Sequence, residues 1–107
     1  MKLKAEVEVL GVTYKIFIEV TELDNPRIKG LDGYCDCANE LGNNIYIANF
    51  SGERKAYEAE VIRHELVHAF LYESGLDTQS TWARDEEVVD WIAIQFPKMS
   101  KAFKSIS

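Results

Sequence analysis

His64-Glu65-Leu66-Val67-His68 puts two imidazoles four residues apart, with a carboxylate directly after the first. On a helix, residues four apart share a face, with Cβ atoms roughly 5–6 Å from one another. Imidazoles so placed can converge on one cation, since Zn–N bonds run about 2.0–2.1 Å. Glu65 is turned about a quarter of a circle round the axis from His64. It should miss the ion yet reach a water bound to it, which is what a hydrolytic zinc site requires. The bland alternative is an amphipathic helix with two surface histidines and a solvated Glu. Three facts count against it: both of the chain's histidines fall in this pattern, the helix carries a core-facing pattern, and a third donor follows downstream.

The third donor must be a carboxylate. A metzincin needs a glycine three residues after His68 and a histidine three beyond that, where this chain has Leu71 and Ser74. A downstream histidine of the SprT-like kind is absent too. The candidates lie in Asp85-Glu86-Glu87-Val88-Val89-Asp90. Glu86 and Asp90 are four apart and share a helix face. Glu86 can then bind the ion while Asp90 accepts the ring N–H of a zinc-bound histidine and fixes its tautomer. Glu87 points about 100° away and has Trp91 four residues on. The spacing therefore favours Glu86 over Glu87, with Asp85 as a helix cap in either case.

His64-Glu65-x-x-His68 followed by Glu86-x-x-x-Asp90 resembles the gluzincin pattern of thermolysin-like peptidases. The short chain and the run ending at Ala93 look most like the ImmA/IrrE type of small metallopeptidase encoded by phages and mobile elements. The similarity covers roughly residues 44–96 and is specific at the zinc motif. It implies a zincin-like fold, one Zn²⁺ per chain held by His64, His68 and Glu86, and Asp90 behind a zinc histidine. It implies a peptide or protein substrate, aligned by an edge strand that residues 44–48 would supply. Glu65 would accept the proton of the zinc-bound water. An oxyanion donor is still needed; Tyr72, Tyr57, Tyr34 and Arg84 are candidates, with Tyr46 as a further substrate contact, and the residues do not choose among them. The alternative from another class is a zinc-binding regulatory or interaction module without turnover.

These residues need a scaffold. Residues 3–10 alternate, with Leu3, Ala5, Val7 and Val9 on one face, which predicts a half-buried strand. Residues 12–20 are rich in β-branched and aromatic types, so a second strand should follow Gly11 as a hairpin. Residues 23–33 read as loop, 34–38 as a short strand, 39–44 as a turn and 45–48 as another strand. Beyond residue 50 the period changes. Ser51 reads as an N-cap, and Ala56, Ala59, Ile62, Leu66, Ala69 and Phe70 mark the inner face of a helix that Gly75 ends. A second helix is expected from about Trp82 to Phe96 with Val88, Val89, Ile92 and Ala93 inward. Pro97 either closes it or opens a last turn, with Lys98, Lys101 and Lys104 as a solvated stripe. Strands first and helices second give an α+β domain, a hairpin and short edge strands packed on an active-site helix and a C-terminal helix.

Composition sets the remaining bounds. The chain has 107 residues, the length of one domain spanning 1–107, with a core sufficient without disulfides. Eighteen acidic residues against twelve basic leave a net charge of −6, which opposes grip on nucleic acid or anionic membranes. No run of eighteen apolar residues and no apolar leader are visible, so a cytoplasmic protein is expected, of unspecified oligomeric state. Cys35 and Cys37, one residue apart, read as reduced thiols, since a disulfide so closely spaced is strained and no second pair completes a structural zinc site.

Overall fold

The computed structural model describes residues 1–37 and 42–107. The alternation near the start folds as expected, with β1 (Lys2–Val9) and β2 (Val12–Val20) pairing antiparallel, Val9 opposite Val12 and Val7 opposite Tyr14. Leu10 and Gly11 join them with φ of 49° and 86°. Positive φ at both central residues is what a two-residue turn needs if its twist is to match that of the strands.

β3 (Gly33–Asp36) and β4 (Asn43–Ala48) complete a sheet of order β1-β2-β4-β3, β4 running parallel to β2 and antiparallel to β3. The strand expected over 45–48 exists, but it is not an edge: β2 and β3 flank it. Ile45 and Ile47 are fully buried, and a strand carrying such residues is best stabilised in the sheet interior. β3 takes the outer edge instead. It begins one residue before the expected start; Ala38 and the turn residues 39–41 lie outside the described residues.

Three helices follow, α1 (Glu58–Glu73), the short α2 (Leu76–Gln79) and α3 (Glu86–Lys104). They make this an α+β domain. α1 lies on one sheet face, where Ile62, Leu66 and Ala69 meet Tyr14, Ile16, Ile45 and Ile47. Each such fully buried aliphatic side chain contributes roughly 1.5–3 kcal/mol. On another side, Val67 and Leu71 of α1 meet Ala83 and Val89, so α1 is a middle layer between sheet and α3. Gly33 permits the close approach of β3: a Cβ there would lie 3.0 Å from Ile47 Cδ1 and 3.1 Å from Val61 Cγ1.

The boundaries of both long helices also differ from expectation. Ser51 makes no side-chain cap; residues Gly52–Tyr57 form a 3-10 segment, and α1 starts only at Glu58. The tighter 3-10 winding takes Ala56 out of the α-helical register, and Ala56, Ala59 and Phe70 are exposed. α3 continues through Pro97 to Lys104. Proline removes the N–H that would bond the carbonyl four residues back, that of Ala93. Arg63 of α1 replaces it, its Nε donating to Ala93 O at 3.2 Å. The last turns, with Met99 and Phe103, are exposed. Among the described residues, no helix is long and apolar enough to cross a membrane.

The Arg63 bond gives a measurable coupling. Arg63→Met should cost about 1.5–3 kcal/mol, the range for a charged donor. In a Pro97→Ala background the cost should shrink, because the restored backbone N–H can donate to Ala93 O within the helix. A double-mutant cycle by urea unfolding checks this; equal costs in both backgrounds would disprove the compensation.

Candidate metal centre

α1 presents both histidines on the side turned to α3, their ring centroids 4.9 Å apart and their planes at 68°. α3 is started for this purpose by Asp85, whose Oδ1 accepts from the backbone N–H of Glu87 at 2.9 Å and of Val88 at 3.3 Å. Such a cap satisfies donors that a helix start leaves unpaired. It is also why α3 opens at Glu86 and not at Trp82, which instead lies in a 3-10 segment, Thr81–Arg84. Glu86 thus becomes the first residue of the helix, with Asp90 one turn further along.

The two helices bring these groups together. Glu86 Oε2 lies 2.7 Å from His64 Nε2, and Glu86 Oε1 lies 3.0 Å from His68 Nε2. One carboxylate therefore spans both imidazoles. Asp90 Oδ1 stands 3.3 Å from His64 Nδ1, the ring's opposite nitrogen. With Nδ1 donating to Asp90, Nε2 would be the ring nitrogen left to ligate a metal ion, were one bound in place of its contact with Glu86. Glu87 is exposed and makes its own contact through its backbone to Asp85.

Glu65 behaves differently from the other carboxylates. It is 6% exposed, and burial pushes its pKa up to about 7, with His64 opposing and the Glu86 charge adding to the rise. For Glu86, partial burial acts upward, but the charges and hydrogen bonds of His68 and His64 together hold it below the usual carboxylate range. One carboxylate is thus set to carry a proton near neutrality while its neighbour stays ionised.

His64, Glu65 and His68 offer ligand atoms within 4.8 Å of one another, a group that could hold a metal ion. No family model, curated protein or solved structure matches this chain. The reading of the site therefore rests on its donors. Glu86, whose carboxylate touches both rings, adds a further donor beside this group.

Two cavities meet at these residues. The larger, about 700 Å³, is lined by Tyr34 and Cys35 of β3, by Cys37, Tyr72 and Asp77, and by Glu65, His68 and Glu86. The smaller, about 340 Å³, holds Tyr57 and Asp90 beside His64, and shares Glu65 and Glu86. Tyr72, Tyr34 and Tyr57 therefore reach a cavity. Arg84 and Tyr46 line neither. Arg84 is exposed on its 3-10 segment, and Tyr46 stacks between Phe17 and Tyr34 at 5.6 and 5.2 Å. Tyr46 follows Ile45 in β4, and strand alternation turns it to the sheet face away from α1. Cys35 and Cys37, expected as reduced thiols, are free and form part of the larger cavity's wall, a place their two-residue spacing alone does not assign.

The raised pKa of Glu65 has a consequence for stability. Its folded value near 7 exceeds the unfolded 4.5. The neutral acid therefore favours folding below pH 4.5, and this contribution is lost as pH rises through 7. Metal-free protein should lose about 3 kcal/mol across that interval, and Glu65→Gln should flatten the slope. Urea unfolding with chelator at stepped pH values measures it; an unaltered slope in the variant would remove Glu65 as the cause.

Proposed function

We propose that the chain is a small zinc-dependent metallopeptidase of the gluzincin type, similar in its motif to ImmA/IrrE-like peptidases. The observation that carries this reading is the single Glu86 carboxylate held between His64 Nε2 and His68 Nε2, at 2.7 and 3.0 Å, with Glu65 beside them in the same cavity. His64, His68 and Glu86 would hold the zinc ion. When bound there, zinc supplies Lewis-acid polarisation of a carbonyl and lowers the pKa of water to about 7.

The chain's own groups account for the rest. Glu65, with a pKa near 7, is matched to accepting a proton from the attacking water at neutral pH and passing it to the leaving amine. Asp90 holds the His64 ring by its Nδ1 side and so keeps Nε2 directed at the site. Gly33, Tyr34 and Cys35 of β3, the last strand of the sheet among the described residues, line the larger cavity, which suits an extended segment laid beside that strand. An extended peptide laid there passes Glu65 and His68. Tyr72, one turn beyond His68 on α1 and on the cavity wall, is the hydroxyl best placed to meet a developing oxyanion.

Elemental analysis of purified protein should find zinc near one per chain. Glu65→Gln should retain that zinc while cleavage of labelled casein falls about 10²–10⁴-fold, the usual share of a general base. Zinc present with no difference between the two proteins would favour a binding module without turnover. No stoichiometric zinc would end the metal reading.

The ligand assignment has its own test. Glu86→Ala should weaken zinc affinity by more than about tenfold, measured by competition with a chromophoric chelator, while Glu87→Ala should leave it near wild type. Equal losses in both variants would remove Glu86 as a ligand.

A further inference from the structure

Cys35 lies in β3 and Cys37 directly follows it, so their side chains emerge on the same face. Their sulfurs are in contact, and either thiol could donate to the other. Both line the larger cavity, as do Glu65 and His68. Both pack against the buried cluster that contains Tyr14, whose hydroxyl donates to Glu73 Oε1 at 2.8 Å. The pair is therefore a built feature of the cavity wall, packed against the core.

The two free thiols are in contact, and no metal-ligand group among the described residues includes either of them. Two adjacent thiols on one wall suit direct sulfur–sulfur exchange. We propose that Cys35 and Cys37 form a reversible thiol–disulfide exchange site on the cavity wall, oxidised by a low-molecular-weight disulfide such as oxidised glutathione.

Exchange proceeds in two steps. Cys37 Sγ attacks one sulfur of the external disulfide, forming a mixed disulfide and releasing one small thiolate, which takes up the Cys37 proton. Cys35 then gives up its proton and attacks Cys37 Sγ, closing the Cys35–Cys37 bond and expelling the second small thiol. Two protein thiols are oxidised and one external disulfide is reduced to two thiols, with both protons accounted for. Cys37, which lies beyond the end of β3 while Cys35 is held within the strand, is the attacking group, and its hydrogen bond with Cys35 holds it below the usual thiol range. The same hydrogen bond and burial push the Cys35 thiol up. A disulfide across one intervening residue is strained, and strained disulfides are easily reduced again. That property is the one a switch requires. The bond would form in the wall of the cavity that Glu65 and His68 also line. The proposal stands whether or not the histidine site binds zinc.

The test uses the purified chain equilibrated in glutathione buffers of rising oxidised share, then acid-quenched, alkylated and weighed by mass spectrometry. Alkylation should fall from two groups to none in one step, with no glutathione retained and no cross-linked chains. Cys35→Ser should instead retain one glutathione, because the resolving thiol is gone. Cys37→Ser should react with oxidised glutathione at least about tenfold more slowly than Cys35→Ser, each variant first checked for native circular dichroism. Three results would overturn the proposal. One is wild type that keeps both thiols alkylatable in buffers where Cys35→Ser takes up glutathione. Another is glutathione that stays on the wild-type chain. The third is protection of the thiols by added cadmium but never by oxidised glutathione, which would make the pair a metal ligand.

Discussion

A carboxylate from one helix resting between two imidazoles of another is possible only if the helices are held at one separation and one rotation. Neither α1 nor α3 can set that by itself. The apolar contact of Val67 and Leu71 with Ala83 and Val89 supplies the spacing. The Arg63 bond to Ala93 O adds a directional tie at the point where Pro97 has left a carbonyl unpaired. Asp85 then fixes where α3 begins, and so where Glu86 stands on it. A shift of α3 by one residue would rotate Glu86 about 100° away from both histidines.

The electrostatics of the site follow from how differently its carboxylates are exposed. The Glu86 side chain is 71% exposed, so its charge stays hydrated while it faces His64 and His68. Glu65, one residue along from His64, is turned inward and loses most of its hydration, which favours its protonated form. Two carboxylates lining one cavity thus differ because deep burial dominates at Glu65 while the two histidines dominate at Glu86. The buried one costs the fold stability near neutrality, a cost of the kind often found at functional sites.

The sheet contributes an edge. Because β4 is drawn into the interior by Ile45 and Ile47, β3 is left outermost among the described residues, and it lines the larger cavity. The absence of a Cβ at Gly33 lets β3 come close enough to α1 for Cys35 and Cys37 to share a wall with Glu65 and His68. The same alternation sends Tyr34 and Tyr46 to the opposite face, where they stack under Arg27, whose guanidinium carbon lies 4.5 Å from the Tyr34 ring centroid.

Local pattern determined a good deal of this protein. Period-two alternation and the Leu10-Gly11 turn specify the hairpin, because side-chain direction in a strand depends only on position along it. Helical spacing likewise specifies that His64 and His68 share a face, and that Glu86 and Asp90 share another. What no spacing could decide was which faces would meet. The strand order, which made β3 the edge and β4 interior, arose from competition among apolar strands for burial. Pro97 reads locally as a helix end, and the helix passes it only because Arg63, distant in sequence, supplies the missing donor. The exposed Ala56, Ala59 and Phe70 have the same origin: a 3-10 start displaced one register, and α1 divided its apolar surface between two partners instead of one. The 2.7 Å between Glu86 and His64 belongs to that class of fact, since it is set by the packing of side chains remote in sequence and not by the motif itself.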